Sequence, residues 1–131
     1  MSQLCPCQSG ASFADCCEPF LTYTNKPDTA EALMRSRYTA YTRADWKYIF
    51  KTWHKTTRPT LPSLRSSGSA EWLGLKIISC NEGMLGDTQG QIEFIASYKN
   101  DQEIAQIKEH SQFVCEKGQW LYVDALGACM E

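Results

Sequence analysis

The chain has 131 residues, 43% of them hydrophobic and 21% charged, with a formal net charge of −2. That is one ordinary core's worth of chain with a globular composition, which excludes a disordered tail. The small negative charge argues against nucleic acid, which needs a basic patch able to compete with salt. No apolar run approaches a membrane span. Met1 to Leu4 lacks the basic-then-apolar order of a secretory leader, so a cytoplasmic protein without membrane association is expected.

Read in chain order, the first feature is Cys5-Pro6-Cys7 followed by Cys16-Cys17. Four of the seven cysteines thus fall at the N-terminus, while Cys80, Cys115 and Cys129 are scattered. Four thiolates this close suit one tetrahedral ion, and an all-sulfur site selects zinc or iron over hard cations. Pro6 limits how the short clip bends, and Ser9-Gly10 supplies the reversal. Phe13 is placed to lie over the site, and backbone N–H groups of the turn should point at sulfur. Two other readings of the same thiols stay open, a pair of disulfides or a redox dithiol at Cys16 and Cys17. An odd cysteine count and a reducing compartment argue against the disulfides. A redox dithiol usually follows a strand, and nothing upstream can form one.

The pattern Cys-x-Cys-x8-Cys-Cys, with Pro6 and the Ser9-Gly10 turn, resembles the SEC-C zinc motif of the preprotein translocase ATPase SecA. The resemblance implies Zn²⁺ held by Cys5, Cys7, Cys16 and Cys17. It also implies a role in protein contacts. Many such motifs carry lysines between the second and third ligands. Here Gln8 to Asp15 has no Lys or Arg, which removes the basis for an electrostatic grip on RNA.

Residues Glu18 to Pro27 read as a connector that packs on the body through Phe20, Leu21 and Tyr23. A helix is expected from an Asp28 cap with Glu31 three residues on. Its apolar stripe is Ala30, Leu33, Met34, Tyr38 and Tyr41; Arg35 and Arg43 fall off that stripe and Arg37 borders it. An Asp45 cap opens a second helix, Trp46 to His54, with Ile49, Phe50 and Trp53 on its apolar side. Arg58-Pro59 and Pro62 bar further regular helix, and Ser63 to Ser69 reads as a loop or short helical turn. From Glu71 the period falls towards two. A first strand ends near Asn81, and Gly83, Gly86 and Gly90 make a long, mobile connection. A second strand carries Ile92, Phe94, Ala96 and Tyr98 on one side. Asn100-Asp101 and Lys117-Gly118 are hairpin signals around a strand from Glu103 to Glu116. The last strand, Gln119 to Val123, turns Trp120, Tyr122 and Asp124 to one face. Helices followed by a four-stranded meander make the fold class α+β, with helices packed on a curved antiparallel sheet.

The run Thr29 to Tyr41, then Thr52-Trp53-His54, with the cysteine knuckle ahead and Trp120 to Asp124 behind, is similar to the YchJ family of small bacterial proteins. The resemblance spans nearly the whole chain. It implies a cone-shaped domain of the nuclear-transport-factor-2-like class after the knuckle, hence a division into residues 1–24 and 25–131. It implies no activity. Many members carry a second knuckle at the C-terminus, whereas this sequence ends Cys129-Met130-Glu131.

A cone has a mouth where a ligand can sit. The residues expected to line it are Arg37, Tyr41, Trp53, His54, Glu109, Trp120 and Asp124, with Tyr38, His110 and Tyr122 beside them. His54 with Glu109 or Asp124 would make an acid–base pair. Arg37, if buried, needs a partner, with Glu109 or Asp124 expected. Cys80 and Cys115 are expected as inert buried thiols. The leading functional reading is a non-catalytic, zinc-stabilised module for a protein partner. The alternatives are a small-ligand or enzymatic pocket in the cone and a thiol redox sensor at Cys16 and Cys17.

Overall fold

One helix, packed on two sides, sets the frame. The computed structural model describes residues 3–66 and 71–128. Helix α2 runs Ala30–Thr42. Its cap is Thr29 rather than the expected Asp28: the Thr29 hydroxyl accepts the Ala32 N–H at 3.1 Å. The expected stripe of Ala30, Leu33, Met34 and Tyr38 is buried, with Tyr41 half-buried, and so are Ser36, Arg37, Thr39 and Ala40. A surface helix keeps one face wet. This one keeps a narrow half-exposed strip at Glu31, Ala32 and Arg35, because the sheet covers one side and the cysteine knuckle the other.

Helix α1, Glu18–Leu21, is a single turn with a proline in its first turn, formed where only a connector was expected. Phe20 and Leu21 pack against the cluster of Ala40, Tyr48, Ile49 and Leu64. Helix α3 covers Trp46–Lys51, and its Asp45 carboxylate accepts the Tyr48 N–H. It stops three residues short of His54. Tyr122 draws the chain away instead: its N–H donates to Thr52 O at 2.8 Å, and its carbonyl accepts the His54 N–H at 2.7 Å. The result is a parallel bridge between Trp53 and Tyr122. Helix α4, Leu61–Arg65, forms where Pro62 was expected to bar one. A proline in the first turn costs no hydrogen bond, since that N–H has no intrahelical acceptor.

The strands are β1 Glu71–Glu82, β2 Gln89–Asn100, β3 Glu103–Glu116 and β4 Gln119–Ala128. They make one antiparallel sheet in the order β1-β2-β3-β4. Register shifts fall between Trp72 and Gly74 and between Ile77 and Ser79 on β1, and at His110/Ser111 and Gln112/Phe113 on β3. Such bulges bend a strand and deepen its twist, which lets the sheet wrap α2. The β2 residues Ile92, Phe94 and Ala96 face the core with Phe113 and Trp120.

The glycine-rich connection between β1 and β2 is pinned rather than loose. Gly83 accepts the Ala30 N–H at 2.8 Å and donates to Gln89 O at 3.0 Å. A side chain on Gly90 would put Cβ 2.4 Å from the Gly83 Cα. The two glycines let the start of α2 rest directly on the hairpin. Cys129 lies outside the described residues.

Candidate functional site

Two sites meet at α2, on opposite sides. The first is the knuckle. Leu4 and Ser12 bridge as antiparallel strands, Cys5 N–H donates to Ala11 O, and Gly10 takes φ +95° at the reversal. A 3-10 turn at Phe13–Asp15, capped by Ser12, delivers Cys16 and Cys17 back to Cys5 and Cys7. The four sulfurs lie within 4.8 Å of one another. Cys7 to Cys16 is 3.5 Å and Cys16 to Cys17 is 3.9 Å. A tetrahedron built on a Zn–S length near 2.3 Å has edges of about 3.8 Å, so the donor set suits one such ion. Cys5, Cys7 and Cys17 are buried in the same core as Leu33 and Phe94.

The thiols share protons unevenly. The Cys17 S–H donates to Cys7, and with the Ser9 hydroxyl and backbone N–H this outweighs burial and holds the Cys7 thiol down at about 4. Burial, and then Cys7 as a hydrogen-bonded and charged neighbour, push Cys16 up to about 11. Cys17 is raised as well, first by its bond to Cys7 and then by burial. Four thiolates packed this closely need a counter-charge, which a dication supplies.

Three contacts clamp the knuckle to the body. The Thr39 hydroxyl, buried on α2, lies 3.4 Å from the Cys17 sulfur and 3.6 Å from that of Cys5. Arg35, paired to Glu31 at 2.9 Å, donates to the Cys7 carbonyl at 2.9 Å. Gln8 accepts the Leu75 N–H and donates to Leu73 O across the bulge in β1. Phe13 packs partly buried against the core, with the Arg43 guanidinium 4.8 Å from its ring centre.

The second site is the cone's mouth, a cavity of about 270 Å³. Arg37 projects from α2 at 4% exposure. Its Nη1 donates to Ile49 O at 3.0 Å and Thr52 Oγ1 at 2.8 Å, at the C-terminal end of α3, where the helix dipole favours a cation. The rings of Trp53 and Tyr122 flank its guanidinium at 5.0 and 4.7 Å. Glu109, on β3, accepts from the Tyr122 hydroxyl at 2.9 Å and from Ser111. Burial, and then the Glu109 charge, raise the Tyr122 phenol above its usual value. Trp72, Tyr38 and Tyr41 form an aromatic wall, with ring centres 5.9 and 6.0 Å from Trp72.

Residues 1–19 match the SEC-C motif, and residues 29–125 match the family described as YchJ, middle NTF2-like domain. The chain belongs to the YchJ family. It is 40% identical to a UPF0225 protein of Geobacter sulfurreducens, over 97% of this chain and 81% of the relative. A UPF0225 protein of Deinococcus radiodurans is 43% identical, over 92% of this chain and 87% of its own. Among solved structures, a SEC-C motif containing protein from Rhodopseudomonas palustris superposes with a TM-score of 0.85 at 32% identity, covering 95% of this chain and 98% of that one. One from Psychrobacter arcticus gives 0.79 at 27%, covering 98% and 84%. The YchJ fold is therefore an NTF2-like cone behind a SEC-C knuckle.

Of the residues expected at the mouth, Arg37, Tyr41, Trp53 and Glu109 line the cavity, as do Tyr38 and Tyr122. His54, Trp120 and Asp124 do not. His54 sits beyond the bridge to Tyr122, where Nε2 meets Glu116 at 2.9 Å and Nδ1 meets Thr56 at 2.8 Å. The expected pair with Glu109 or Asp124 is replaced by one with Glu116, because β4 carries its carbonyl partner past His54 towards the end of β3. Trp120 is buried in the core on another side. Asp124 is exposed and accepts the Ala125 N–H. Arg37 makes no ion pair with Glu109 or Asp124; among the described residues the pairs are Arg35–Glu31, His54–Glu116 and Lys108–Glu93. His110 bonds Gln91 at 3.1 Å. Cys80 is exposed rather than buried, its thiol 3.6 Å from Glu31, and Cys115 is half-buried.

Sequence reasoning missed Thr39, Arg35 and Gln8 as anchors of the knuckle, and Tyr122 as the partner of Glu109. One signal for Thr39 was present. Ser36 and Thr39 leave the supposed wet face of α2 small and uncharged, which marks a second packed face.

Proposed function

We propose that this protein is a non-catalytic binding module of the bacterial cytoplasm, held together by one structural zinc ion on Cys5, Cys7, Cys16 and Cys17. The observation that carries the reading is the sulfur cluster, four thiols at tetrahedral spacing with three of them buried in the main core. Four protein thiolates leave no coordination position for a substrate, which is the mark of a structural site rather than a catalytic one. The zinc would take over the positive counter-charge and fix the knuckle against Thr39. Two further points support a binding role over catalysis. His54 is spent on Glu116 outside the cone, and the exposed turn of Gln8 to Ala11 is free of Lys and Arg, which suits a protein partner better than a phosphate backbone.

Native mass spectrometry of the untagged protein tests this. One zinc per chain, lost in Cys7→Ser, is expected. Iron in its place would retain the structural role and correct the metal. A metal-free protein in which Cys16 or Cys17 forms a disulfide that cycles with thiol reagents would overturn the proposal in favour of redox sensing.

A further inference from the structure

The cone cavity holds two opposite charges that do not meet. Arg37 is more than nine-tenths buried. Its guanidinium has five N–H donors, and both on Nη1 are taken by Ile49 O and Thr52 Oγ1. No described residue accepts from Nε or Nη2. Those atoms form the side-on edge that pairs with a carboxylate through two parallel hydrogen bonds. Across the cavity, Glu109 uses Oε2 for both Tyr122 and Ser111, and no described residue donates to Oε1. An Arg this deeply buried usually closes such a gap by pairing with a carboxylate, in this cavity the half-buried Glu109. Here the space between them is kept open by Trp53, Trp72, Tyr38 and Phe94, rigid rings that do not collapse into it.

We infer that the cavity binds a small planar aromatic monocarboxylate bearing a hydroxyl or amino donor on its ring. The carboxylate takes the free edge of Arg37 and the ring donor takes Glu109. The ring lies against the aromatic wall. A volume of about 270 Å³ falls just below the usual range of ligand pockets, about 300–1,000 Å³, so a one-ring body suits it. Glu109 sets the charge limit, because a second anionic group on the ligand would face a carboxylate in a poorly hydrated space. Ile107, 39% exposed, stands at the rim. The inference rests on the binding-module reading but not on the metal.

The test uses the 131-residue chain as purified with 4-hydroxybenzoate as probe, followed by Trp fluorescence and by NMR shifts of the Trp53 indole. Saturable binding below millimolar concentration is expected. The neutral 4-hydroxybenzamide should bind at least tenfold more weakly, as should benzoate, which lacks the ring donor. Arg37→Gln should remove the preference for acid over amide with zinc content unchanged. Should that variant fail to fold, the comparison of acid with amide on the unaltered protein decides alone. Equal affinity for acid and amide overturns the carboxylate assignment while leaving a binding cavity. No saturable response to any of the three probes overturns the inference, and the zinc stoichiometry is unaffected by either result.

Discussion

Helix α2 has two packed sides, and they are built in opposite ways. On the knuckle side the anchoring groups close on one another: Thr39 reaches sulfur, Arg35 reaches the Cys7 carbonyl, and Cys5, Cys7 and Cys17 are sealed in the core. On the cone side, among the described residues, Arg37 and Glu109 keep donors and an acceptor unused around open space. The closed side gathers its groups around a single point. The open side spends bulky aromatics on holding its groups apart. A site that is structural converges on its own residues, whereas a site kept for something else leaves valences over.

The strongest way to break that comparison is at a ligand. Cys17→Ser should abolish stoichiometric metal and lower the midpoint of thermal unfolding by on the order of 10 °C or more, read by calorimetry beside metal analysis. The cone should still quench Trp fluorescence with 4-hydroxybenzoate below the new midpoint. Loss of that response with the metal would mean the two sides of α2 are one cooperative site. Next in size is Gly90→Ala, where the new Cβ meets the Gly83 backbone. It should cost about 1–3 kcal/mol by urea denaturation, with the start of α2, common to both sides, taking the strain.

Thr39→Val keeps the shape of the closed side and deletes its hydroxyl. Affinity for the proposed metal ion should fall by roughly tenfold in a chelator competition, in line with losses of other groups that orient metal ligands. Unchanged affinity would show that Thr39 only fills space. The smallest effect is expected at His54→Ala. Its carboxylate partner Glu116 is more than half exposed, so stability should change by under about 1 kcal/mol, and probe binding in the cone should not change.

The same contrast explains what could be read from sequence. The candidate metal ligands are local, four cysteines in one short stretch, and spacing alone brings them together. Strand β2 announced itself by alternation, and β3 by the Asn100-Asp101 and Lys117-Gly118 hairpin signals at its two ends, where Asp101 and Gly118 take positive φ. The cone's contents are non-local. Glu109 is placed by the register of β3 against β4, with bulges at His110/Ser111 and Gln112/Phe113, and a one-residue shift there reverses which side chains face in. That is why Arg37 and Glu109 could be named while His54 and Asp124 were set beside them wrongly. Helix α4 was missed for a different reason. Proline was taken as a terminator, when at a first turn it is an opener.

The contact between Gln8 and β1 has a consequence for the whole molecule. Strand β1 is the sheet's outer margin, and the amide side chain of Gln8 occupies Leu73 O and Leu75 N there. Were the ion stripped and the knuckle to swing away, those backbone groups would become a docking rail for another extended chain, with Leu73 and Ile78 already at the surface. Metal starvation should therefore show itself first as self-association of a still-folded cone, visible by light scattering before any loss of sheet signal in circular dichroism. The N-terminal hook, on this account, is a guard against sticky neighbours as much as a clasp.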